Sequence, residues 1–387
     1  MLDLTRSVRR AGRIATGVDR VELAYLEHLL ACDVPLFGLV RTALGYILLD
    51  RFGLIALQDR LNGDEPWGPV DLLSGLNRKR PESVQRAESD VRRLSVARAI
   101  PRLLARMLRR VLPEGTAYLN VGHSNLTSRV LRAVPQGRIS VLIHDVIPLE
   151  YPQFQREGTV QRFETKLRLV RQYADLLIYN SADTRARAQA HMSIWGPVPN
   201  GIVAHLGSEL PIPDPDTAPP DEPYFVTVGT IEPRKNHTFL LDLWEQMGPE
   251  APLLLICGNR GWNNDAVFAR LDRLGEAARI IEVPDLPDGH LARLVAQAQG
   301  LLFPSLAEGF GLPAVESLAL GTPVLCNTLA TFEEVLGEKP VYASVNNHNL
   351  WISTIEVWAK HSREKGHQVD FTPPNWGDHF KSVLSLT

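Results

Sequence analysis

Short apolar segments that alternate with helical segments are the feature that most constrains the fold of this chain. Two such series occur, one over residues 117–191 and one over residues 224–326. Alternation of this kind is typical of parallel sheets that are covered by helices. The 387 residues also exceed what a single hydrophobic core usually serves. The sequence therefore predicts an α/β protein with two domains.

A proline-rich segment separates the two series. Residues 209–223 hold six prolines among acidic residues, a composition typical of a stiff linker between domains. We therefore predict a first domain over residues 1–208, the linker at 209–223, a second domain over 224–370 and a C-terminal segment over 371–387.

The first 115 residues show less regular patterns. Residues 1–14 are predicted as a polar N-terminal segment that bears arginines, and a helix is predicted after Gly17, where apolar residues recur with helical spacing. Residues 62–81 are rich in Gly, Pro, Asp and Asn and are predicted as a loop. Three strands are predicted between these segments, at residues 35–40, 45–49 and 54–57.

Charge is unevenly distributed, although the formal net charge is only -3. Residues 1–200 carry 29 Lys and Arg against 20 Asp and Glu, hence +9, and residues 201–387 carry the remaining 12 against 24, hence -12. This asymmetry indicates an anionic ligand or surface facing the first half. Two domains that merely differ in surface charge would give the same counts.

Several features together indicate a cytoplasmic protein. The three cysteines are far apart, which favours a reducing compartment over a disulfide framework or a zinc site. No apolar run approaches the roughly 18 residues of a membrane span, and no signal peptide is apparent.

Eleven basic residues lie within residues 78–110. The apolar residues of 100–111 follow helical spacing and define one face. The pattern fits a helix that packs in the core with a solvated basic face, and it also fits a helix that lies on anionic lipid headgroups. Nucleic acid is not expected as a partner, because no aromatic residue interleaves the arginines. The arginines around the apolar face are Arg102, Arg106, Arg109 and Arg110.

Polar side chains follow three successive predicted strands of the first series. In open α/β sheets, ligands bind beyond the carboxyl ends of the strands, so these residues predict a cleft. His144 could also serve only to bind a carbonyl of a loop, and Gly17 could be an ordinary helix start. The residues at the strand ends are His123, His144, Asp145, Asn180 and Ser181.

The segment 303–316 combines a buried strand end, a glycine-rich turn and a helix that begins at Pro313. Glycines let the backbone approach a ligand, and free amides at a helix start attract anions. The carboxylates of Glu308 and Glu316 bracket this turn, and Arg234 with Lys235 follows another predicted strand end. Cations at a strand end favour a diphosphate ligand, because guanidinium and ammonium groups grip phosphate oxygens.

These residues resemble motifs of the retaining GT-B glycosyltransferases of family 4, also called glycosyl transferase group 1. The resemblance is carried by Gly-Thr-Ile-Glu-Pro-Arg-Lys-Asn at 229–236 and by Glu-Gly-Phe-Gly-Leu-Pro-Ala-Val-Glu at 308–316, which matches the family's E-x7-E pattern. Residues 16–22 and 144–148 resemble the N-terminal part of bacterial surface-polysaccharide members. At 337–340 this chain has Gly-Glu-Lys-Pro, where the family usually has a Gly-Asp-Ala-like loop.

The resemblance implies two Rossmann-like domains that face each other across a cleft, with a last helix that crosses back to the first domain. It implies that Arg234 and Lys235 bind a diphosphate, that Glu316 binds the ribose, and that Glu308 and His144 contact the donor sugar. His144, Arg234, Lys235 and Glu308 are thus the implied catalytic set, with Asp145, His123 and Asn180 on the acceptor side. The residues implied to bind the donor are Gly17, Gly229, Thr230, Arg234, Lys235, Val283, Glu308, Gly309, Phe310, Gly311, Leu312 and Glu316.

The activity implied is transfer of a hexose from a nucleotide sugar to a saccharide or lipid-linked saccharide acceptor of a surface polysaccharide. GDP-mannose is preferred as the donor and UDP-sugars stay open. No cofactor and no metal are expected, because Arg234 and Lys235 can neutralise the leaving diphosphate. A lipid-linked acceptor would bring the protein to the inner face of the cytoplasmic membrane. The residues leave open another GT-B activity, such as an epimerase or a phosphorylase, and a non-catalytic protein that binds nucleotide or glycan.

Overall fold

The computed structural model of the chain describes residues 1–77, 79–135, 137–275, 278–360 and 370–387. The first half contains β1 (Leu2–Asp3), α1 (Thr5–Arg9), α2 (Gly17–Ala31), β2 (Gly38–Thr42), β3 (Gly45–Leu49), α3 (Arg51–Asn62), α4 (Leu72–Gly75), α5 (Glu82–Arg93), β4 (Ala97–Ala99), α6 (Leu104–Val111), β5 (Tyr118–Asn120), α7 (Ser128–Leu131), β6 (Ile139–Ile143), α8 (Ile147–Glu150), α9 (Thr159–Tyr173), β7 (Leu176–Tyr179), α10 (Ala182–Ser193) and β8 (Gly201–Val203). The second half contains β9 (Tyr224–Val228), α11 (His237–Met247), β10 (Leu253–Cys257), α12 (Asp265–Leu271), β11 (Ile280–Val283), α13 (Asp288–Gln297), β12 (Gly300–Phe303), α14 (Leu312–Ala319), β13 (Val324–Cys326), α15 (Ala330–Leu336), β14 (Val341–Tyr342), α16 (His348–Lys360) and α17 (Trp376–Leu384).

The strands form two sheets, one in each half of the chain. The first has the order β4-β3-β2-β1-β5-β6-β7-β8, and the second has the order β11-β10-β9-β12-β13-β14. Neighbouring strands are parallel, except that β3 runs antiparallel to β2 and β4. Helices connect the parallel strands, as parallel pairing requires. The prediction of an α/β chain with two parallel-sheet domains is confirmed.

Most of residues 1–11 is buried in the core of the first domain, and residues 12–14 are exposed. The prediction of residues 1–14 as a polar N-terminal segment was therefore wrong. Leu2 and Leu4 are fully buried, and β1 lies between β2 and β5, with Leu2 opposite Gly38 and Leu119. A strand of two residues is too short to leave a period in the sequence. Its place in the sheet depends on neighbours that are distant along the chain.

The predicted strand at 54–57 was also wrong, because these residues lie within α3. The Asp50 carboxylate accepts a hydrogen bond from the Gly53 amide and caps the start of this helix. Leu54 and Leu57 are spaced as one helical face and are fully buried. A short apolar run does not by itself distinguish a strand from such a face. Within the predicted loop at 62–81, α4 forms a single helical turn.

The basic stretch folds into α5, β4, a 3-10 turn and α6, although Arg78 lies outside the described residues. Leu104, Met107 and Leu108 are buried in the core of the first domain. Ile100 and Leu103 precede α6 and remain 56% and 47% exposed. The apolar face of α6 therefore packs in the core, as one of the two interpretations expected. The arginines on its outer side are exposed: Arg102, Arg106, Arg109 and Arg110.

In the second sheet the apolar runs predicted the strands well. The predicted bounds at 224–228, 253–257, 280–283 and 300–303 match β9, β10, β11 and β12. Strands β9, β10 and β12 are buried on both faces and are nearly continuous apolar runs, so their limits are visible in the sequence. Strand β11 lies at the edge of the sheet and is partly exposed.

Helix α17 packs against the first domain. The hydroxyl oxygen of Tyr25 lies 2.7 Å from Nε2 of His379, and the rings of His28 and Phe380 stack with centroids 3.9 Å apart. The linker and domain boundaries stay predictions, and residues 361–369, at the end of the predicted second domain, lie outside the described residues. Among the described helices, none is both long and apolar enough to cross a membrane.

Candidate functional site

The turn between β12 and α14 is the centre of the candidate site. Gly311 precedes α14 with a φ of +90°, and a Cβ there would lie 2.8 Å from the Phe332 ring. Only glycine suits both the backbone angle and the space. Pro313 lies in the first turn of α14, where a missing amide hydrogen costs nothing. This local sequence therefore fixes a sharp turn at the carboxyl end of a central strand.

Arg234 and Lys235 follow β9 and meet Glu308 of this turn. Nη1 of Arg234 lies 2.7 Å from Oε1 of Glu308, and Nζ of Lys235 lies 2.6 Å from the same oxygen. Nε of Arg234 lies 2.6 Å from Oε1 of Glu232. The side chains of Lys235 and Glu308 are each only 8% exposed. Two cations and two carboxylates thus form one compact cluster at the edge of the second sheet.

Glu308 is ionised at neutral pH. Burial by itself would raise the pKa of Glu308, but Arg234 and Lys235 outweigh burial and lower this pKa to about 2. Burial lowers the pKa of Lys235, which Glu308 opposes. Burial also opposes the charge on Arg234, yet Glu308 and Glu232 raise its pKa above the ordinary value. Cations that are fixed in this way before a ligand arrives can stabilise a diphosphate without rearrangement.

The loop after β9 is shaped to let Lys235 reach this position. Gly229 has a φ of +133°, and a Cβ there would lie 3.1 Å from Cε of Lys235. Thr230 lies beside Gly261, where a Cβ would lie 2.6 Å from the Thr230 methyl group. The carbonyl of Val283 accepts a hydrogen bond from the Gly258 amide at 3.2 Å. The loops after β9, β10 and β11 therefore lie close together at one edge of the sheet.

Residues of the first domain contact the turn from the other side of the cleft. A Cβ on Gly309 would overlap the carbonyl oxygen of His144. The hydroxyls of Ser181 and Thr184 donate to the carbonyl of Gly309 at 3.1 and 3.2 Å. The amide of Asn180 donates to the carbonyl of His144 at 2.8 Å. The structure thus brings the predicted strand ends of both domains together.

The imidazoles of His144 and His123 bind backbone carbonyls. Nε2 of His144 lies 2.6 Å from the carbonyl oxygen of Val121, and Nε2 of His123 lies 2.6 Å from that of Leu142. Carbonyls only accept, so each Nε2 carries the proton of the hydrogen bond. Burial lowers the pKa of His144 to about 4 and that of His123 to about 3. Both rings are neutral at pH 7, and His144 makes the carbonyl contact that the sequence left open.

Asp145 lines a cavity of about 190 Å³ between the domains. Burial raises the pKa of this carboxyl to about 6, although Arg234 opposes the shift. Residues from both domains surround the cavity: Asp145, Ile147, Pro148, Phe154, Gln155, Glu232, Pro233, Arg234 and Trp262.

The start of α2 meets the start of α14. A Cβ on Gly17 would lie 3.3 Å from Cδ1 of Leu312, and Nη1 of Arg20 lies 2.6 Å from Oε1 of Glu316. Burial raises the pKa of Glu316, and Arg20 opposes that shift. Phe310, the remaining predicted residue of the turn, is buried. The carboxylate expected to bind the ribose therefore pairs here with an arginine of the other domain.

The sequence did not indicate the contacts that close the cleft. Oε1 and Oε2 of Glu334 accept hydrogen bonds from the amides of Ala182 and Asp183 at 2.6 and 3.1 Å. Nε2 of His205 lies 2.8 Å from Oε1 of Glu334, and Nε1 of Trp262 donates to the carbonyl of Phe154 at 3.0 Å. Each partner lies in the other domain, more than one hundred residues away, and no sequence pattern signals such a pair.

The described residues contain no group of three or more His, Cys, Asp or Glu side chains arranged to hold a metal ion.

Comparisons with known proteins agree with this architecture. Residues 211–366 match the family model described as "Glycosyl transferases group 1". The serotype-specific mannosyltransferase WbdA of Escherichia coli is 30% identical over 246 residues, which cover 58% of this chain and 30% of WbdA. The O-antigen chain mannosyltransferase RfbU of Salmonella typhimurium is 24% identical over 243 residues, which cover 62% of this chain and 66% of RfbU. The chain thus spans about 30% of the length of WbdA.

Solved structures of similar fold include Anabaena Alr3699/HepE in complex with UDP-glucose, with a TM-score of 0.52 and 16% identity over 70% of this chain and 73% of that chain. Sucrose-phosphate synthase from Thermosynechococcus elongatus gives a TM-score of 0.51 and 20% identity, over 70% of this chain and 74% of that chain. The strand ends of the two sheets face each other across a cleft. Together with the similarity to these solved structures, this arrangement defines a protein of the GT-B fold. The match of residues 211–366 to the glycosyl transferases group 1 agrees with this fold.

Proposed function

We propose that the protein is a retaining glycosyltransferase that moves a hexose from a nucleotide sugar to a saccharide or lipid-linked saccharide acceptor of a surface polysaccharide. The observation that carries this proposal is the buried cluster in which Arg234 and Lys235 share Oε1 of Glu308 beside the start of α14. The cluster matches the chemistry of a nucleoside diphosphate, whose leaving group gains negative charge as the glycosidic bond breaks.

In the proposed mechanism, the diphosphate binds against Arg234, Lys235 and the amides that begin α14. The ion pairs with Glu232 and Glu308 use Nε and Nη1 of Arg234. The third guanidinium nitrogen, Nη2, can therefore contact a phosphate oxygen. Glu308 stays ionised and accepts hydrogen bonds from hydroxyls of the donor sugar. These cations replace a metal ion in the proposal. The acceptor hydroxyl attacks from the face of the leaving group, and a phosphate oxygen takes its proton.

Mannose from GDP-mannose is the donor that we propose first. The support is the similarity to WbdA and RfbU, which are described as mannosyltransferases. The solved complexes of HepE contain UDP or UDP-glucose instead, so UDP-sugars are the competing outcome of the test.

A panel of nucleoside diphosphates tests the donor site. Melting temperatures are measured with GDP, UDP and dTDP, because a ligand that binds only the folded state at 100 times its Kd stabilises it by about 2.7 kcal/mol. GDP is expected to give the largest rise. No rise with any of the three would contradict the proposal.

Arg234→Lys is the variant that tests the diphosphate contact. Arg234→Ala would leave the buried carboxylates of Glu232 and Glu308 without this partner, whereas lysine keeps the charge and removes only the planar fork. The nucleotide-dependent rise should shrink, and transfer should fall by at least about tenfold, since one charge-assisted hydrogen bond contributes about 1.5–3 kcal/mol. Arg270→Lys, at a partly exposed pair with Asp242, is the matched control. Equal behaviour of the two variants would refute the assignment.

Transfer and its stereochemistry are tested directly. Labelled GDP-mannose is incubated with a mannan-type acceptor, and the anomeric configuration of the product is read by NMR. The configuration of the donor should be retained. An inverted product would leave the glycosyltransferase proposal standing and refute retention.

We also propose that the exposed side of α6 lies on an anionic membrane. Arg102, Arg106, Arg109 and Arg110 are exposed beside the exposed Ile100 and Leu103, and each basic residue near an anionic surface contributes about 1 kcal/mol. Replacing the four arginines with Gln should abolish binding to phosphatidylglycerol vesicles. Replacing four other exposed cations should not, and equal effects of the two sets would refute the patch. The control set is Arg129, Arg185, Arg273 and Lys381.

A further inference from the structure

The first domain contains a cavity that the proposed mechanism does not use. Its volume of about 310 Å³ exceeds that of the cavity between the domains, about 190 Å³. Sites for small ligands commonly measure about 300–1,000 Å³. Gly12, Arg13 and Ala15 of the segment before α2 line it, together with Pro66 and Trp67 of the segment after α3. All of its lining residues belong to the first domain, so the cavity does not depend on closure of the cleft.

Ion pairs hold most of the charged groups of this cavity in place. Nε of Arg10 lies 2.6 Å from Oδ2 of Asp19, and Nη1 of Arg60 lies 2.9 Å from Oε2 of Glu65. These four residues line the cavity, and so does Arg13. Arg13 is exposed, and no carboxylate of the described residues lies within ion-pair distance of its guanidinium. The cavity therefore offers fixed hydrogen-bond donors and acceptors and one guanidinium that is not paired.

Trp67 gives the cavity a flat apolar surface. It is half-buried and packs in part against the core of the first domain, which limits the movement of its ring. Within the described part of the chain, its indole N–H has no acceptor and no other aromatic ring or cation stacks on it. Tryptophan combines an apolar face with a polar N–H that usually finds a partner. A sugar ring, which has an apolar face and a rim of hydroxyls, matches this surface and the polar groups around it.

The cavity lies beside the candidate active site, with the first turn of α2 between them. Asp19 lines the cavity, and the next residue, Arg20, pairs with Glu316 of α14 at 2.6 Å. Gly17, at the start of the same helix, lies against Leu312. A helix with its side chains is about 10–12 Å wide. A single sugar ring is too short to span that width, whereas a short saccharide chain can reach from the cavity to the turn before α14.

We propose that this cavity is a second saccharide site, which holds sugars of the acceptor chain that lie behind the sugar that reacts. The inference rests on the proposed glycosyl transfer and adds a determinant outside the cleft, by which acceptors are selected for their length. One sugar ring stacks on Trp67, its hydroxyls donate to Asp19 and Glu65, and Arg13 donates to a sugar oxygen. No bond forms or breaks at this site, so it acts on acceptor binding and leaves the chemical step to the cleft.

Methyl mannoside and mannotetraose are the probes for this site. Each is titrated calorimetrically into the full chain in the presence of saturating GDP, and each is used as an acceptor with GDP-mannose. Trp67→Ala should weaken binding of mannotetraose by about three- to tenfold, the effect of losing one aromatic stacking contact. It should raise KM for mannotetraose more than KM for methyl mannoside. Trp195→Ala is the matched control, because Trp195 is also half-buried in the first domain and does not line the cavity.

Arg13→Gln tests the site without disturbing the core. Trp67 packs against the core, so its truncation lowers stability as well, whereas the guanidinium of Arg13 is exposed. Arg13→Gln should weaken binding of mannotetraose by about three- to tenfold, less than the loss of a buried charge-assisted hydrogen bond, since water screens an exposed charge. Its melting temperature should equal that of the wild type. Arg129→Gln, at an exposed arginine of the same domain, is the control.

The outcomes separate this inference from the proposed function. If the wild type binds mannotetraose no more tightly than methyl mannoside, or if Trp67→Ala and Arg13→Gln match their controls, the second site is refuted while the proposed transfer stands. A wild type that binds no nucleotide and transfers no sugar contradicts the proposed function, and this inference with it.

Discussion

Glu308→Gln is the substitution whose consequences follow most directly from the structure. It removes the negative charge from the carboxylate that Arg234 and Lys235 share at 2.7 and 2.6 Å. Glutamine keeps the shape and one acceptor oxygen, so the change is mainly electrostatic. Two opposite effects are expected, a loss of stability in the free protein and a stronger response to nucleotide.

The size of the first effect follows from burial. Removing one partner of a buried ion pair costs about 3–5 kcal/mol, because the other charge is left unpaired. The remaining contact of the glutamine oxygen places the expected loss near the lower figure. Exposed pairs of similar length contribute only about 0–1 kcal/mol. Arg260 and Glu282 form such a pair at 2.6 Å, with side chains 38% and 25% exposed. Glu282→Gln is therefore the matched control.

The assay is urea unfolding followed by tryptophan fluorescence, with and without a saturating nucleoside diphosphate. A loss of about 3 kcal/mol lowers the midpoint by about 1 M if the slope is about 3 kcal/mol per M. The diphosphate supplies the charge that Glu308→Gln removes, so nucleotide should restore more stability in this variant than in the wild type. Sugar transfer should still fall, because the proposed contact of Glu308 with the donor hydroxyls is weakened.

If Glu308→Gln unfolds at the same urea concentration as Glu282→Gln, the view that the cluster is a buried charge network is refuted. A nucleotide-dependent gain smaller than that of the wild type would refute the proposal that the diphosphate occupies the cations. The two outcomes are independent, since the first concerns the free protein and the second concerns the ligand.

Three more expectations concern the cleft. Burial raises the pKa of Asp145 to about 6 from its ordinary value of 3.8. The wild type should therefore lose up to about 3 kcal/mol of folding stability relative to Asp145→Asn as pH rises from about 4 to about 6. A difference in melting temperature between the two proteins that does not change with pH would contradict this. Glu334→Gln removes a negative charge from the start of α10, which costs about 0.3–1 kcal/mol of stability. Hydrogen exchange at the Ala182 amide should therefore accelerate up to about fivefold. An unchanged exchange rate would exclude the contact. Gly309→Ala inserts a methyl group against the His144 carbonyl. The expected loss of stability, about 1–3 kcal/mol, should lower the melting temperature and reduce sugar transfer. Wild-type values of both would show that the cleft opens freely.

Several parts of the fold and site were available from the sequence alone. Strands β9, β10 and β12 are apolar runs buried on both faces, so their limits were visible without tertiary information. The turn at 304–313 was equally clear, because Gly311 has a backbone angle that favours glycine and Pro313 suits a first helical turn. The sequence also indicated that the cations after β9 and the carboxylates around this turn lie at the same end of the sheet, because each follows a predicted strand. The structure adds that Arg234 and Lys235 share one carboxylate oxygen.

Other parts depended on contacts between distant residues. Leu2 and Leu4 lie in the core only because β2 and β5 flank β1, and α3, which carries Leu54 and Leu57, packs against α2 and β3.

What the sequence determined by itself is the set of segments whose periodicity, glycines and prolines encode a local conformation. Tertiary structure decided which charges are paired between segments that are distant along the chain. Arg6 and Arg10 meet Asp19, Arg20 meets Glu316, and no carboxylate of the described residues lies within ion-pair distance of Arg9. The physical reason is that pairing depends on distances of a few ångströms between side chains, which are fixed only when sheets and helices assemble around a common core.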